Sequence, residues 1–195
     1  MNKMVWASVM MAGLALVANV KAGDLVIADF EGQDVGGWQI PDWALEKKDH
    51  VAKELSLAGD FASVGKKSLK ISAAFPGTAW AAAVVEAQDY LDLKAYSKVA
   101  VDIYLPAEAP EGLAGNIVLT VGEGWTWTEQ LKNIPLKPGQ WTTVTVDVAP
   151  GSLDFKKTKV DEAFRTDIRK IDIRVISDKK AAYNGPVYID NLRAM

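Results

Sequence analysis

The segment VGEGWTWTEQ, residues 121–130, places two tryptophans one residue apart, directly after a Gly-Glu-Gly sequence. In an extended strand, Trp125 and Trp127 would point to the same side, roughly 6.5–7 Å apart. Two such rings offer either core packing or a flat apolar surface for a ligand. Continuing the register of the preceding strand would bury Glu123 with both rings, which is costly for a carboxylate without a partner. We therefore expect the register to break at Gly122–Gly124, which leaves both interpretations of the rings open.

An exposed indole ring suits a sugar, because a pyranose has C–H bonds on its flat side and hydroxyl groups around its rim. Polar side chains beside the ring would bind those hydroxyl groups by directed hydrogen bonds. The polar parity of predicted strands supplies Asp102, Tyr104 and Arg174 for this purpose. The alternative is that Asp102 and Arg174 form an ordinary surface ion pair.

The chain offers little for nucleophilic catalysis, and we expect it not to be an enzyme. It has no cysteine, and its one histidine, His50, lies in the polar stretch EKKDH, where histidine is usually an ordinary surface residue. It contains no G-x-S-x-G segment and no Gly-rich loop between a strand and a helix. A glycoside-cleaving pair of carboxylates stays open because the chain has 25 acidic residues, and Glu123 would then be the first candidate.

The strands that must hold these side chains are predicted by alternation with a period of two residues. The segments SKVAVDIYLP, WTTVTVDV and RKIDIRVIS alternate β-branched apolar residues with polar ones. The apolar parity should face a core, and the polar parity should face water or a ligand. Turn signals such as Pro76-Gly77 and Pro138-Gly139 separate about ten such segments. The pattern predicts an all-β fold, a β-sandwich of two antiparallel sheets, with a closed barrel as the alternative.

Residues 1–22 are predicted to be a secretory signal peptide. Lys3 precedes an uncharged apolar stretch, and Val20-Lys21-Ala22 fits the small-residue pattern before a cleavage site. An uncleaved anchor is the alternative, although the stretch is short for a membrane span. The expected mature chain, residues 23–195, is a single domain that is secreted or periplasmic.

The charge of the chain argues against nucleic acid and an anionic membrane as partners. The net charge is −3, and it becomes −5 when Lys3 and Lys21 of the predicted leader are removed. Polyanions are bound by basic surfaces. The absence of cysteine excludes disulfides, zinc–thiolate sites and a lipid-modified N-terminal cysteine.

Six segments, in this order, resemble the jelly-roll carbohydrate-binding modules of polysaccharide-degrading enzymes, families 11 and 27 in particular. The resemblance covers nearly the whole of residues 23–195. It implies a galactose-binding-domain-like β-sandwich that binds a β-glucan or mannan without cleaving it. The segments are DFEGQDVGGW (29–38), SVGKKSLKIS (63–72), LDLKAYSKVAVDIYLP (91–106), GEGWTW (122–127), LKPGQWTTVTVDV (136–148) and GPVYIDNLRA (185–194).

The resemblance implies that aromatic side chains on the concave sheet and its rim loops contact the sugar. Trp80, Trp125 and Trp127 match such positions, and Trp43 lies in a loop that would fold over the groove. Trp38 and Trp141 match packing positions instead. Together with the polar candidates, the predicted carbohydrate-binding residues are Trp43, Trp80, Asp102, Tyr104, Glu123, Trp125, Trp127 and Arg174.

The resemblance also implies a structural calcium ion that ties the first strand to the last. In such modules the ligands are the glutamate of a Phe-Glu pair, the aspartate of a final Asp-Asn pair and nearby main-chain carbonyls. The matching side chains are Glu31 and Asp190, with Asp29 as a third candidate. Calcium prefers hard oxygen ligands, and several can be carbonyls. Terminal-strand acids without a metal are the alternative.

The leading hypothesis is an exported, non-catalytic protein that binds a polysaccharide or oligosaccharide, alone or with other glycan-degrading proteins. A cell-envelope protein that docks a protein partner on the same fold is the second hypothesis. A glycan-degrading enzyme is the third.

Overall fold

The alternating segments form two antiparallel sheets in a computed structural model, which describes residues 23–179 and 181–195. The predicted signal peptide, residues 1–22, lies outside the described residues. The elements in chain order are β1 (Leu25–Ala28), α1 (Asp42–Leu45), β2 (Ala52–Ala58), β3 (Ser68–Pro76), β4 (Trp80–Leu91), β5 (Lys98–Leu105), β6 (Leu113–Val121), β7 (Thr126–Glu129), β8 (Ile134–Pro135), β9 (Gln140–Asp147), α2 (Glu162–Thr166), β10 (Ile168–Asp178) and β11 (Ala182–Ala194).

The two sheets, which we call sheet A and sheet B, pack face to face. Sheet A has the strand order β2-β3-β11-β5-β9, with β1 paired to β11. Sheet B has the order β4-β10-β6-β7, with β8 paired to β6. The prediction of a two-sheet β-sandwich is confirmed, and the alternative of one closed barrel is excluded for the described strands.

The apolar parity of each sheet faces the space between the sheets, as predicted. Val101 and Ile103 of β5 and Ile173 and Val175 of β10 are fully buried. Each side chain of this kind contributes about 1.5–3 kcal/mol when it leaves water. This burial fixes the register of every strand, because a slip of one residue would turn the whole apolar set outward.

Among the described residues, helix is confined to the two short elements α1 and α2. Asp161 caps α2, because its side chain accepts a hydrogen bond from the backbone N–H of Phe164 at 2.8 Å. Over residues 23–179 and 181–195, the structure has no helix long and apolar enough to cross a membrane.

The segment that contains α1 runs beside the edge strand β4 of sheet B. Its two ends are held there by isolated bridges, from Gln39 to Glu86 and from His50 to Ala82. The backbone N–H of Gln39 donates to the carbonyl of Glu86 at 2.9 Å. These bridges place α1 against the outer side of sheet B.

Candidate functional site

The outer face of sheet B, on the side away from the core, carries polar side chains from its central strand. Lys170, Asp172 and Arg174 of β10 have the parity opposite to the core residues Ile171 and Ile173. Strands β4, β6 and β7 add outward side chains on either side of β10. The prediction that the polar parity of β10 leaves the core is correct.

The two neighbouring tryptophans lie at the hairpin between β6 and β7. The register breaks in the turn of residues 122–125, as predicted, and Glu123 is exposed in that turn. Trp127 pairs with Thr120 on the outer face of sheet B. The exposed fractions of Trp125 and Trp127 are 42% and 41%, so neither ring is in the core.

Trp125 adopts a left-handed backbone conformation that is unfavourable for a bulky side chain. Its φ angle is +49°, and its N–H donates to the carbonyl of Gly122 at 2.9 Å to close the turn. Such a conformation costs about 1–3 kcal/mol at a residue other than glycine. Strain of this kind clusters at functional positions, where the side chain is needed for something other than the fold.

Trp43 of α1 and Trp80 of β4 complete the aromatic set on the same outer face, from the opposite edge of sheet B. Both are half-buried and pack on Ala82 and Val84 of β4. Trp43 meets Trp127 with 5.7 Å between ring centroids and an interplanar angle of 86°. We call the four residues Trp43, Trp80, Trp125 and Trp127 the tryptophan face.

An open groove of about 430 Å³ lies among three of these rings. Its size is in the range of pockets that hold small organic ligands. The residues that line it are Trp43, Lys47, Thr120, Trp125, Trp127 and Lys170.

The two cations on the floor of the tryptophan face are both paired with carboxylates. The Nζ atom of Lys170 lies 2.9 Å from Glu86, and a guanidinium nitrogen of Arg174 lies 3.0 Å from Glu129. The guanidinium carbon of Arg174 also lies 5.9 Å from the ring centroid of Trp80. The expected pair between Arg174 and Asp102 does not form.

Asp172 is fully buried between these pairs. It is the cross-strand partner of Glu86, and neither of its carboxyl oxygens has a hydrogen-bond partner in the part of the chain that the structure describes. Burial, and then the negative charge of Glu86, raise the pKa of Asp172 to about 8. A pKa of about 8 favours the neutral form of Asp172 at neutral pH, and in that form its carboxyl proton can be donated to Glu86.

Asp102 lies on the other sheet, and the prediction that it shares a face with the tryptophans is wrong. It belongs to β5 in sheet A and is 3% exposed. Its carboxylate accepts hydrogen bonds from Ser63 and Thr143 at 2.7 Å and from Asn191 at 2.8 Å, and it lies 3.4 Å from Arg193. Parity fixes the side of a strand that a residue takes, but it does not fix which sheet the strand joins.

Tyr104 is separated from the tryptophan face for the same reason. It lies on the outer face of sheet A, where Phe61 stacks on its ring with 4.3 Å between centroids. Trp141 lies beside it at 5.5 Å. Trp38 is in the core, where it meets Phe30 edge to face at 5.7 Å.

The predicted calcium ligand Glu31 holds the loop of residues 63–67. Its carboxylate accepts hydrogen bonds from the backbone N–H groups of Lys66 and Lys67 at 2.8 Å and 2.7 Å, which hold the pKa of Glu31 below its usual value. Gly65, with φ of +73°, lies so close that a Cβ atom there would come within 2.6 Å of this carboxylate. Asp29 instead accepts a hydrogen bond from the N–H of Glu31 at 3.1 Å.

The second predicted ligand, Asp190, holds the other side of the same loop. It accepts hydrogen bonds from the N–H groups of Ser63 and Val64 at 2.7 Å and 3.0 Å, and burial raises its pKa to about 6. Within residues 23–179 and 181–195, no three histidine or acidic side chains come together as a metal site. The two acids do not make a calcium site by themselves, because one oxygen of each, Oε1 of Glu31 and Oδ2 of Asp190, already accepts two loop amides. Main-chain carbonyls would have to complete it, and calcium stays a prediction.

His50 is a residue of this site that the sequence analysis took for ordinary surface, and Lys47, Thr120 and Lys170 of the groove were not predicted either. The ring of His50 lies between two members of the tryptophan face, 4.9 Å from Trp43 and 5.9 Å from Trp80, and its side chain is 10% exposed. No local pattern could have found this position, because it depends on the bridge between His50 and Ala82. Lys170 and Asp172 were not among the predicted site residues either, but they share the outward parity of β10 by which Arg174 was predicted.

The sequence of this domain matches a known family over most of its length. Residues 38–195 match the family model described as Carbohydrate binding module 27. The chain belongs to carbohydrate-binding module family 27. The predicted resemblance is confirmed, and the match includes all four residues of the tryptophan face. A search of curated proteins finds none that matches this family 27 module.

Solved structures share the fold of this family 27 module at low sequence identity. CBM27-1 of Caldicellulosiruptor saccharolyticus, solved in complex with mannohexaose, has a TM-score of 0.60 and 20% identity over 89% of this chain and 97% of that chain. TmCBM27, described for specific mannan recognition, has a TM-score of 0.56 and 20% identity over 88% and 96%. A family 11 module from Clostridium thermocellum, in complex with a β-1,3-1,4-mixed-linked tetrasaccharide, has a TM-score of 0.55 and 18% identity over 88% and 95%.

Proposed function

We propose that this module binds a neutral polysaccharide or oligosaccharide of the mannan or β-glucan type on the tryptophan face, without cleaving it. The observation that carries the proposal is the open groove of about 430 Å³ bordered by Trp43, Trp125 and Trp127. The sugars bound by the family 27 and family 11 relatives supply the class of ligand.

Stacking on indole rings would supply most of the affinity. Trp125 and Trp127 keep about two fifths of their surface exposed, although tryptophan is highly buried on average. The strained backbone at Trp125 supports the same conclusion, since strain of this kind clusters at functional positions. Within the fold, the ring meets the guanidinium group of Arg169 at 5.6 Å and leaves about two fifths of its surface open.

Hydrogen bonds from the floor and the rim would supply selectivity. Lys170 and Arg174 are each already paired with a carboxylate. A neutral sugar hydroxyl can accept from or donate to such a pair without breaking it. A uronic acid would have to compete with Glu86 and Glu129 for these cations. The arrangement therefore favours a neutral glycan.

The carboxyl groups on the floor of the tryptophan face, among the described residues, support binding without cleavage. Glu86 and Glu129 are held in ion pairs, and Asp172 is sealed from solvent. A glycosidase needs one protonated and one ionised carboxyl group on either side of an accessible bond. Glu123 is exposed, but it lies in the rim turn. Incubation with soluble mannan and β-glucan should release no reducing ends, and release that Glu123→Gln abolishes would contradict this proposal.

Separate replacement of Trp125 and Trp127 by alanine tests the site. Both variants should lose retardation in affinity electrophoresis through gels that contain galactomannan or mixed-linkage β-glucan. Trp141→Ala is the matched control, because Trp141 is a half-buried tryptophan on the outer face of sheet A. Binding by the two variants equal to that of the wild-type protein, with melting temperatures unchanged, would reject the tryptophan face as the site.

Two further parts of the proposal are export of the chain and a structural calcium ion bound by Glu31 and Asp190. We propose that residues 1–22 direct the chain to the periplasm or the cell exterior. A protein partner that docks on the tryptophan face is the competing role. Excess soluble mannan in a pull-down from envelope extract separates the two roles, because only glycan-dependent retention is then lost.

A further inference from the structure

We propose that His50 is a positioning residue, which fixes the angle between Trp43 and Trp80 and thereby the affinity for glycan chains long enough to reach both rings. The inference rests on the proposed function of the tryptophan face. It gives a role to the one histidine of the chain, which the sequence predicts to be ordinary surface.

The ring of His50 separates two indole rings that do not stack on each other. It meets Trp43 at 4.9 Å with an interplanar angle of 77°, and Trp80 at 5.9 Å with an angle of 67°. Both contacts are edge-to-face, which is a favoured geometry for aromatic pairs. The angle between the two indole rings therefore depends on a flat side chain at position 50.

The backbone around His50 is anchored to the strand that carries Trp80. The N–H of Val51 donates to the carbonyl of Ala82 at 2.9 Å, and the N–H of Ala82 donates to the carbonyl of Asp49 at 2.9 Å. Ala82 lies two residues from Trp80 on the same face of β4. His50 thus has a fixed position relative to Trp80.

Trp43 has weaker support of its own. It sits on α1, a helix of four residues, which is far too short to be stable without tertiary contacts. Its ring is held by His50, by Trp127 and by the small apolar patch at Ala82. Of the two aromatic rings that contact Trp43, His50 is the one that also contacts the ring of Trp80. Its removal should therefore leave Trp43 free to change its angle to Trp80 on the apolar patch that both rings share.

The rotation of the His50 ring is fixed by its neighbour. The Nδ1 atom donates to a carboxylate oxygen of Asp49 at 2.8 Å, which holds the pKa of Asp49 below its usual value. Two cations flank the cluster, with Lys47 at 4.9 Å from the ring of Trp43 and Arg174 at 5.9 Å from the ring of Trp80.

The test compares His50→Ala, His50→Gln and His50→Phe with the wild-type protein by calorimetric titration of mannohexaose and mannobiose. His50→Ala and His50→Gln, which lack a ring, should bind mannohexaose about tenfold more weakly, whereas His50→Phe should stay within about threefold of wild type. Mannobiose affinity should change less than mannohexaose affinity, because a disaccharide is too short to stack on both indole rings, whose centroids lie 4.9 Å and 5.9 Å from the ring of His50 on its two sides. Near-UV circular dichroism of the free proteins should show a changed tryptophan signal in the two ringless variants and a retained signal in His50→Phe.

Folded ringless variants that bind mannohexaose as tightly as wild type would overturn the role of His50 and leave the proposed function intact. A wild-type protein that binds neither mannan oligosaccharides nor β-glucan oligosaccharides would overturn the proposed function. In that case circular dichroism still tests whether His50 fixes the angle between Trp43 and Trp80. Identical spectra for all four proteins would reject this positioning role too. If His50→Ala does not fold, His50→Gln carries the test, since it keeps a hydrogen-bond donor for Asp49.

Discussion

Both outer faces of the sandwich carry aromatic rings, but the rings are arranged differently on the two sheets. On sheet A, Phe61 lies over Tyr104 in a stacked geometry and meets Tyr188, which is only 3% exposed. On sheet B, Trp125 and Trp127 border an open groove. The number of aromatic residues is therefore a poor guide to a binding face. The two faces differ in what covers their rings. On sheet A, Phe61 from a loop already stacks on Tyr104, whereas on sheet B the rings beside the groove are left open.

The polar side chains show the same difference. Asp102 of sheet A is fully supplied with hydrogen-bond donors from three side chains. Asp172 of sheet B is just as buried, but it lacks hydrogen-bond partners in the described residues. Sheet A uses its polar groups to join strands and loops. Sheet B keeps an energetically unfavourable group beneath its groove, which is typical of a face selected for binding.

The largest expected effect is on sheet A. Asp102→Ala should lower the free energy of unfolding by about 3–5 kcal/mol, because it leaves Arg193 and several donors without their carboxylate. Glycan affinity of the folded variant should stay unchanged, since the residue lies on the sheet away from the groove. Urea unfolding and affinity electrophoresis measure the two quantities. A variant of normal stability that has lost glycan binding would reverse the roles given to the two faces.

The next effect concerns the buried acid of sheet B. The pKa of Asp172 is about 8 in the folded protein against an ordinary value of 3.8, so the folded state keeps a proton that the unfolded chain releases between these values. The contribution of this group to the free energy of unfolding therefore falls as pH rises from about 4 to about 8, by at most about 1.4 kcal/mol per pH unit.

Asp172→Asn removes this titration. The free energy of unfolding of the variant, relative to that of wild type, should rise steadily as pH rises from about 4 to about 8 and then level off, because the side chain of the variant has no proton to lose. Urea unfolding at a series of pH values measures the gain, and Asp178→Asn, at an exposed position of the same strand, is the control. If the free energy of unfolding changes with pH in the same way for wild type and Asp172→Asn, Asp172 has the same pKa in the folded and the unfolded chain. Asp172 would then be ionised at neutral pH, which would contradict the account.

A smaller effect separates binding from stability within the tryptophan face. Trp125→Gly and Trp125→Ala should both lose glycan binding. The glycine variant should be about 1 kcal/mol more stable than the alanine variant, because only glycine adopts a φ of +49° without strain. Thermal unfolding of the two variants measures the difference. Equal stabilities would mean that the turn relaxes in the variants and that its strain has no connection with binding.

The smallest expected effect is that of calcium on the loop of residues 63–67. If carbonyls complete a site with Glu31 and Asp190, calcium should raise the melting temperature by a few degrees and a chelator should lower it. Glu31→Gln should remove this response. A melting temperature that neither calcium nor chelator changes would mean that the two carboxylates hold the loop through its amides alone, as the hydrogen bonds at 2.7–3.0 Å already do.

Local sequence reasoning succeeded wherever one strand or one turn decides the outcome. The parity of β10 identified Arg174 as outward-facing, and the cost of burying Glu123 predicted the break before Trp125. It failed where two distant segments meet. Asp102 and Arg174 have the same outward parity on different sheets, and His50 reaches the tryptophan face only through its bridge to β4. Pairing between distant strands is set by the whole core, so a local pattern cannot reveal it.

The most direct test of the central claim is to observe all the indole N–H signals during a glycan titration. Two-dimensional nitrogen–proton spectra of the isotope-labelled protein resolve each tryptophan side chain, and single substitutions assign the signals. On addition of mannohexaose or a mixed-linkage β-glucan tetrasaccharide, the account predicts large shifts for Trp43, Trp80, Trp125 and Trp127. The signals of Trp38 in the core and Trp141 on sheet A should stay in place. Shifts confined to Trp141, or binding that moves none of the four, would contradict it.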